Sequence, residues 1–260
     1  MKLSRLRATL VLVSFASLTL PLMPVQQLFI WFWPRMARVF PMYYHRLVLR
    51  ILGVRVNIYG EAVKQGPVIF AANHVSWLDI VILSAVAPVS FIAKRDVKSW
   101  PFFGALAQLQ RTVFVDRNRR HSTGTSRDEM QERLKAGDML VLFAEGTSGD
   151  GARVMPFKSA FFAAAEHPGV SVQPLSIVYT GHRNLPMTRR LRPLYAWYGD
   201  MEMPPHLWSA VAHGPIEVKV ICHPPLTIAA MGDRKSMAKH AETAVRQGLI
   251  HALHGKAKMG

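Results

Sequence analysis

In the stretch Asn73-His74-Val75-Ser76-Trp77-Leu78-Asp79 a histidine precedes an aspartate by five positions. On one continuous helix such residues sit about 140° apart and do not meet. They do meet if the histidine lies in a turn and the aspartate in the first turn of the helix that follows. The flanks predict that junction: Pro67 to Ala72 is an apolar run suited to a buried strand, and Leu78 to Val86 is apolar enough for a packed helix. The aspartate then fixes one ring nitrogen as donor, and the other is free to take a proton from a substrate hydroxyl. The competing reading is a histidine that caps the helix or bonds within the core, beside an aspartate placed in the first turn by the helix dipole. No further His, Cys or Glu lies at zinc-ligand spacing nearby, so no metal is expected.

Other elements must bring partners to that turn. Met139 to Phe143 reads as a central strand that delivers Ala144-Glu145-Gly146-Thr147-Ser148-Gly149-Asp150-Gly151 into a glycine-rich turn, where backbone amides can approach a ligand. This is neither a dinucleotide fingerprint nor a nucleophile elbow, which would need a glycine where Asp150 stands. Val89 to Ala93 reads as a strand ending at Lys94, and Arg111 to Arg117 as another, with Arg117 at its end placed to meet an anion. Helices are expected over Thr125 to Ala136, Lys158 to Glu166 and Asp233 to Leu253, and strands over Val54 to Tyr59, Val170 to Tyr179 and Ile216 to Cys222. Pro174 implies that the Val170 strand is an edge or carries an irregularity. The basic, then aromatic, segment from Gly181 to Met203 is a candidate wall of the site. Strands alternating with helices predict an α/β fold, a single layered domain with a mixed, mostly parallel sheet flanked by helices.

The 260 residues, half of them apolar, suffice for one catalytic domain and an attachment. The 32 Lys and Arg against 16 Asp and Glu give a formal charge of +16, which suits nucleic acid, anionic lipid headgroups or a phosphorylated carrier. The lone Cys222 excludes an internal disulfide framework and reads as a small core residue. From Ala8 to Pro34 no residue is charged, but Pro21 and Pro24 interrupt the run and leave two short apolar halves. Both flanks are basic, which favours a monotopic helical hairpin, with Phe29, Trp31, Phe32 and Trp33 at the headgroup level, over a single crossing or a cleaved signal peptide. Arg38 to Leu52 reads as a basic interfacial helix. The boundaries expected are residues 1–52 for the membrane anchor and 53–260 for the catalytic domain.

Four blocks, taken in order, resemble the lysophospholipid (1-acylglycerol-phosphate) acyltransferase superfamily: His74 through Asp79, Arg111 to Arg117, Phe143-Ala144-Glu145-Gly146-Thr147, and Val172-Gln173-Pro174-Leu175. The resemblance implies acyl transfer from acyl-CoA or acyl carrier protein to a lysolipid hydroxyl, without any other cofactor. It implies His74 as general base, Asp79 as its orienter, and Glu145, Gly146 and Thr147 as shapers of the acceptor pocket. Lys94 and Arg117 match residues that bind an acceptor phosphate in that superfamily. It also implies membrane lipids as surroundings, no nucleic-acid partner, and a site on the cytoplasmic face of the inner membrane, since acyl carriers are cytosolic. Two departures stand in the third block: Ala144 replaces a common proline, and Ser148 stands where an arginine usually follows the threonine. In this the chain looks more like the branch that O-acylates lyso-ornithine lipid, a phosphorus-free acceptor. The alternative is drift, with Arg153 or Lys158 taking the anion instead. Two readings outside acyl transfer remain: a basic membrane-surface or nucleic-acid-binding protein with dispensable His74 and Asp79, and a hydrolase that releases the acyl group to water.

Overall fold

The chain opens with α1 (Lys2–Phe32) and α2 (Pro34–Leu52), folded back on each other as an antiparallel hairpin. Arg7 donates to Leu52 O at 3.1 Å, the Thr19 and Tyr44 hydroxyls pair at 2.7 Å, and Gln26 donates to Ala37 O at 3.0 Å. These three bonds run head to tail along the pair. A helical hairpin is present, but it pairs α1 with α2 and not the two apolar halves with each other: Pro21 and Pro24 lie inside one continuous α1, the break falls at Trp33, and Pro34 takes the first position of α2. A proline removes a backbone donor, and the helix continues where contacts hold it on both sides. Thr19 and Gln26 flank the proline pair, and both are bonded to α2.

The buried positions Ala8, Thr19 and Gln26 lie close to whole numbers of helical turns apart, so one stripe of α1 faces the protein. The span Ser4–Phe32 is long and apolar enough to cross a membrane. Gln26 does more than join two helices. Ala37 O would ordinarily accept from the amide four residues on, but that residue is Pro41. The Gln26 amide takes this orphaned carbonyl, and at 2.9 Å it also takes Leu109 O, at the end of α4 (Phe103–Leu109).

The computed structural model describes residues 2–115 and 122–254. After Gly53, left-handed at φ 74°, the chain enters β1 (Val54–Tyr59), then β2 (Val68–Ala72), α3 (Leu78–Val86), β3 (Val89–Lys94), α4 and β4 (Val113–Val115). It continues through α5 (Ser122–Lys135), β5 (Met139–Phe143), a 3₁₀ segment (Ser159–Glu166) where a helix was expected, and β6 (Ser171–His182). The short β7 (Leu185–Pro186), α6 (Met203–His213), β8 (Ile216–Cys222), β9 (Leu226–Thr227), α7 (Ile228–Met231) and α8 (Arg234–Leu253) complete it. The sheet order is β1-β8-β6-β2-β5-β3-β4, with β7 and β9 also on β6. From β6 to β4 neighbours are parallel; β8 is antiparallel to β6 and parallel to β1. The sheet is thus mixed and mostly parallel.

Alternate residues of the central strands feed two cores. Phe70 and Ala72 pack with Leu78, Ile82 and Leu83 of α3 on one face, and Ile69 and Ala71 with Met237, Ala241 and Val245 of α8 on the other. Strands covered on both faces read as continuous apolar runs, as β2 and β5 do. Cys222 is buried at the end of β8, and burial pushes its thiol up to about 11. β6 is central, so Pro174 marks an irregularity and not an edge: it falls where the neighbour changes from β9, ending against Val172, to β8, starting against Leu175.

The pairing of Gln26 with the Pro41 gap gives a quantitative test. Gln26→Leu leaves Ala37 O and Leu109 O unpaired and is expected to destabilise the detergent-solubilised protein by about 1–3 kcal/mol per buried group. In a Pro41→Ala background, which restores the helical donor to Ala37 O, the same substitution should cost measurably less in thermal unfolding.

Candidate active site

The parallel strands β2, β5 and β3 end on one side of the sheet, the side on which ligands bind in open α/β sheets. Asn73 and His74 leave β2 there, Ala144 and Glu145 leave β5, and Lys94 ends β3. Asn73 fixes the exit of β2 by a reciprocal pair with β6: its amide donates to Ile177 O at 3.0 Å, and Ile177 N donates to its oxygen at 2.8 Å.

His74 and Asp79 meet as the spacing predicts. His74 lies in the turn, Asp79 in the first turn of α3, and Nδ1 stands 2.8 Å from Asp79 Oδ2. Asp79 is fully buried, and a buried carboxylate requires partners on its lone pairs. Oδ2 also accepts the amides of Val75 at 2.6 Å and Ser76 at 2.9 Å, and Oδ1 accepts the Tyr179 hydroxyl at 2.7 Å. Facing a carboxylate, Nδ1 is the protonated nitrogen, so Nε2 carries the lone pair. The ring lies flat on Phe143, with centroids 3.9 Å apart and planes at 15°, and the His74 side chain keeps 17% exposure. With one nitrogen fixed and the other open, the ring is placed so that it could act as a general base.

Glu145 is also buried, and both its oxygens are occupied by backbone. Oε2 accepts the His74 amide at 3.0 Å and Oε1 the Met155 amide at 2.8 Å. Burial pushes its carboxyl up to about 7, against the two backbone bonds that lower it. It shapes the site by bracing the histidine turn. Glu145 holds amide 74 and Asp79 holds amides 75 and 76, so none of these three can serve a developing oxyanion. Donors must come from elsewhere.

The glycine-rich turn closes over the same place. Gly149 donates to His74 O at 2.8 Å. Gly146 is left-handed at φ 77°, and a Cβ there would come 2.9 Å from Lys158 Nζ, so the lysine ammonium stands over the turn at Gly146, above the Phe161 ring. Thr147 and Lys94 are exposed on the same edge. Lys94 stands two strands from His74, roughly 10 Å at about 4.8 Å per strand. Arg117 lies outside the described residues. Arg111 of the second block is turned inward, its guanidinium bonded to Asp138 at 2.8 and 3.3 Å. The Gly181–Met203 segment does form a wall, with Trp197 N donating to Val75 O at 2.9 Å.

Tyr179 escaped the sequence reading. It ends the stripe Leu175, Ile177, Tyr179 on the core face of β6, and a phenol closing an aliphatic stripe is a signal, because a buried hydroxyl needs a partner. Its partner lies 100 residues away in Asp79. Burial first, then the Asp79 charge and the donated bond, hold its hydroxyl well above the ordinary range and so keep it a donor.

The acyltransferase family model matches residues 55–178, which contain the histidine turn, Asp79, Glu145 and the glycine-rich turn. Over 258 residues the chain is 44% identical to the lyso-ornithine lipid O-acyltransferase of Brucella abortus (strain 2308), covering 96% of this chain and 97% of the relative. The chain belongs to the acyltransferase family. It is 34% identical over 203 residues to the 1-acyl-sn-glycerol-3-phosphate acyltransferase of Neisseria meningitidis serogroup B (strain ATCC BAA-335 / MC58), covering 77% of each. The fold matches the crystal structure of the 1-acyl-sn-glycerophosphate (LPA) acyltransferase PlsC from Thermotoga maritima with a TM-score of 0.69, over 99% of both chains at 20% identity. At that identity the likeness is one of fold.

Two outcomes follow for this family member. Tyr179→Phe removes one of the donors on Asp79 and should lower kcat about tenfold, the scale of one charge-assisted bond, with KM little changed in steady-state kinetics. Glu145 binds its proton more tightly folded (about 7) than unfolded (4.5), so its contribution to stability is complete below pH 4.5 and is lost as pH rises through 7. Thermal unfolding from pH 5 to 8 should therefore show a wild-type decline of roughly 3 kcal/mol relative to Glu145→Gln, whose side chain does not titrate.

Proposed function

We propose that the chain transfers a fatty acyl group from an acyl thioester, on acyl-CoA or acyl carrier protein, to the hydroxyl of a lysolipid, with lyso-ornithine lipid as preferred acceptor. The observation that carries this reading is His74, fixed through Nδ1 by a buried Asp79 while Nε2 stays open. His74 Nε2 takes the acceptor's hydroxyl proton as the oxygen attacks the thioester carbon. The C–S bond then breaks, and the proton returns from the imidazolium to the leaving thiolate. No covalent acyl-enzyme is needed.

The acceptor preference rests on similarity and on chemistry. The relative named for lyso-ornithine lipid aligns over nearly its whole length at 44%, the one named for 1-acyl-sn-glycerol-3-phosphate over 77% at 34%. Ser148 stands where a phosphate-binding arginine would be useful, in keeping with an acceptor that has no phosphate. The proposed setting is the cytoplasmic face of the inner membrane. The outward face of α1 exposes Leu6, Leu10, Val13, Leu20 and Leu28, and the hairpin tip exposes Trp31, Phe32 and Trp33, a composition suited to acyl chains and to the headgroup level respectively.

Purified, detergent-solubilised protein should acylate lyso-ornithine lipid faster than lysophosphatidic acid when each is offered with labelled acyl-CoA or acyl carrier protein. His74→Ala should lower the rate by about 10² to 10⁴. Full activity in that variant would discard the mechanism, and activity on lysophosphatidic acid alone would discard the acceptor preference.

A further inference from the structure

Beside the histidine turn lies a cavity of about 340 Å³ whose polar lining is Asp150, Arg189, Arg190, Arg192 and Tyr198. Both its walls are pinned to that turn. Gly149, next to Asp150, donates to His74 O, and Trp197, next to Tyr198, donates to Val75 O. One chain step of about 3.8 Å and about 5.5 Å across a bonded backbone pair put Asp150 and Tyr198 within roughly 9 Å of the turn. The arginines follow β6, on one side of β2, and Asp150 ends the glycine-rich turn that follows β5, on the other side. The cavity therefore adjoins the turn that carries Ser148.

Its charges are uncommitted. Among the described residues the guanidiniums of Arg189, Arg190 and Arg192 make no ion pair or hydrogen bond. Asp150 accepts the Ala152 amide on Oδ1 at 2.9 Å, which leaves Oδ2 available. Three cations would suit any anion, but the carboxylate among them repels a phosphate and attracts an ammonium. A ligand that uses both signs is a zwitterion.

We infer that this cavity receives a zwitterionic amino-acid headgroup, with Arg189, Arg190 and Arg192 taking its carboxylate and Asp150 its ammonium. An ornithine joined to its lipid through one amide keeps one carboxylate and one ammonium, whereas lysophosphatidic acid carries a phosphate and no cation. The inference rests on the acceptor reading proposed above and assigns it residues: Asp150 is the discriminating group, favouring the amino-acid lipid and opposing the phosphate.

The test is steady-state kinetics on the full-length protein in detergent with four acceptors: lyso-ornithine lipid, its methyl ester, its amine-acetylated derivative, and lysophosphatidic acid. The Arg190→Gln/Arg192→Gln double variant should raise KM for lyso-ornithine lipid about tenfold or more and leave KM for the methyl ester unchanged. Asp150→Asn, which keeps the acceptor for the Ala152 amide, should raise KM for lyso-ornithine lipid but not for the acetylated derivative, and should lower it for lysophosphatidic acid. Wild-type activity on lyso-ornithine lipid with KM unmoved in both variants overturns the cavity assignment alone. A rise in KM for the acyl donor instead overturns it too, and gives the arginines to the donor phosphates. A wild type active only on lysophosphatidic acid overturns the acceptor reading beneath it.

Discussion

A carboxylate with no access to water organises the centre of this protein. Asp79 is fully buried, and the fold delivers four donors to its two oxygens: the His74 ring, the amides of Val75 and Ser76, and the Tyr179 hydroxyl. Those donors come from the β2 exit turn and from β6. The charge cannot be satisfied unless turn, helix and strand are all in place, so one buried group couples the local geometry of the base to the packing of the sheet.

A second buried carboxylate completes the clamp from the other side. Glu145 leaves the neighbouring strand β5 and takes the amide of His74 and that of Met155. Three successive amides, 74 to 76, are thereby committed to two acids that approach from β5 and α3. This is preorganisation in a concrete form: the histidine backbone is held before any substrate arrives, and the ring is held against Phe143. The cost falls on chemistry, since these three engaged amides cannot also stabilise an oxyanion.

What the sequence disclosed follows the range of the forces involved. The His74–Asp79 pair was legible because five residues and a strand-to-helix switch determine its geometry locally, and the strands were legible because covered strands are apolar throughout. Tyr179 was not, because its meaning comes from a contact 100 residues distant. Pro21 and Pro24 misplaced the hairpin turn for the same reason. Local rules end a helix at proline, but bonds from Thr19 and Gln26 to α2 support the backbone on either side. The arrival of Glu145 beside the histidine turn was legible from the apolar run that precedes it, but its bracing was not, since only the fold shows that backbone amides occupy both of its oxygens.

The net charge of +16 likewise has no single meaning, and the structure divides it. Arg38, Arg111 and Arg133 converge on the buried Asp138, where burial would raise the carboxyl but the bonds and charges of Arg133 and Arg111 hold it below its usual value. Arg133 also bonds Arg111 O at 2.9 Å and Ser90 Oγ at 3.0 Å, so this cluster ties α2, α5, β3 and the approach to β5 together and is unavailable to a ligand. A uniformly basic binding surface would leave such arginines outward. Here the inward ones serve the fold, whereas Lys94, Lys158, Arg189 and Arg190 stand exposed on segments that follow the strands. Cations left exposed near the end of a parallel sheet where ligands enter suit an enzyme that binds charged substrates.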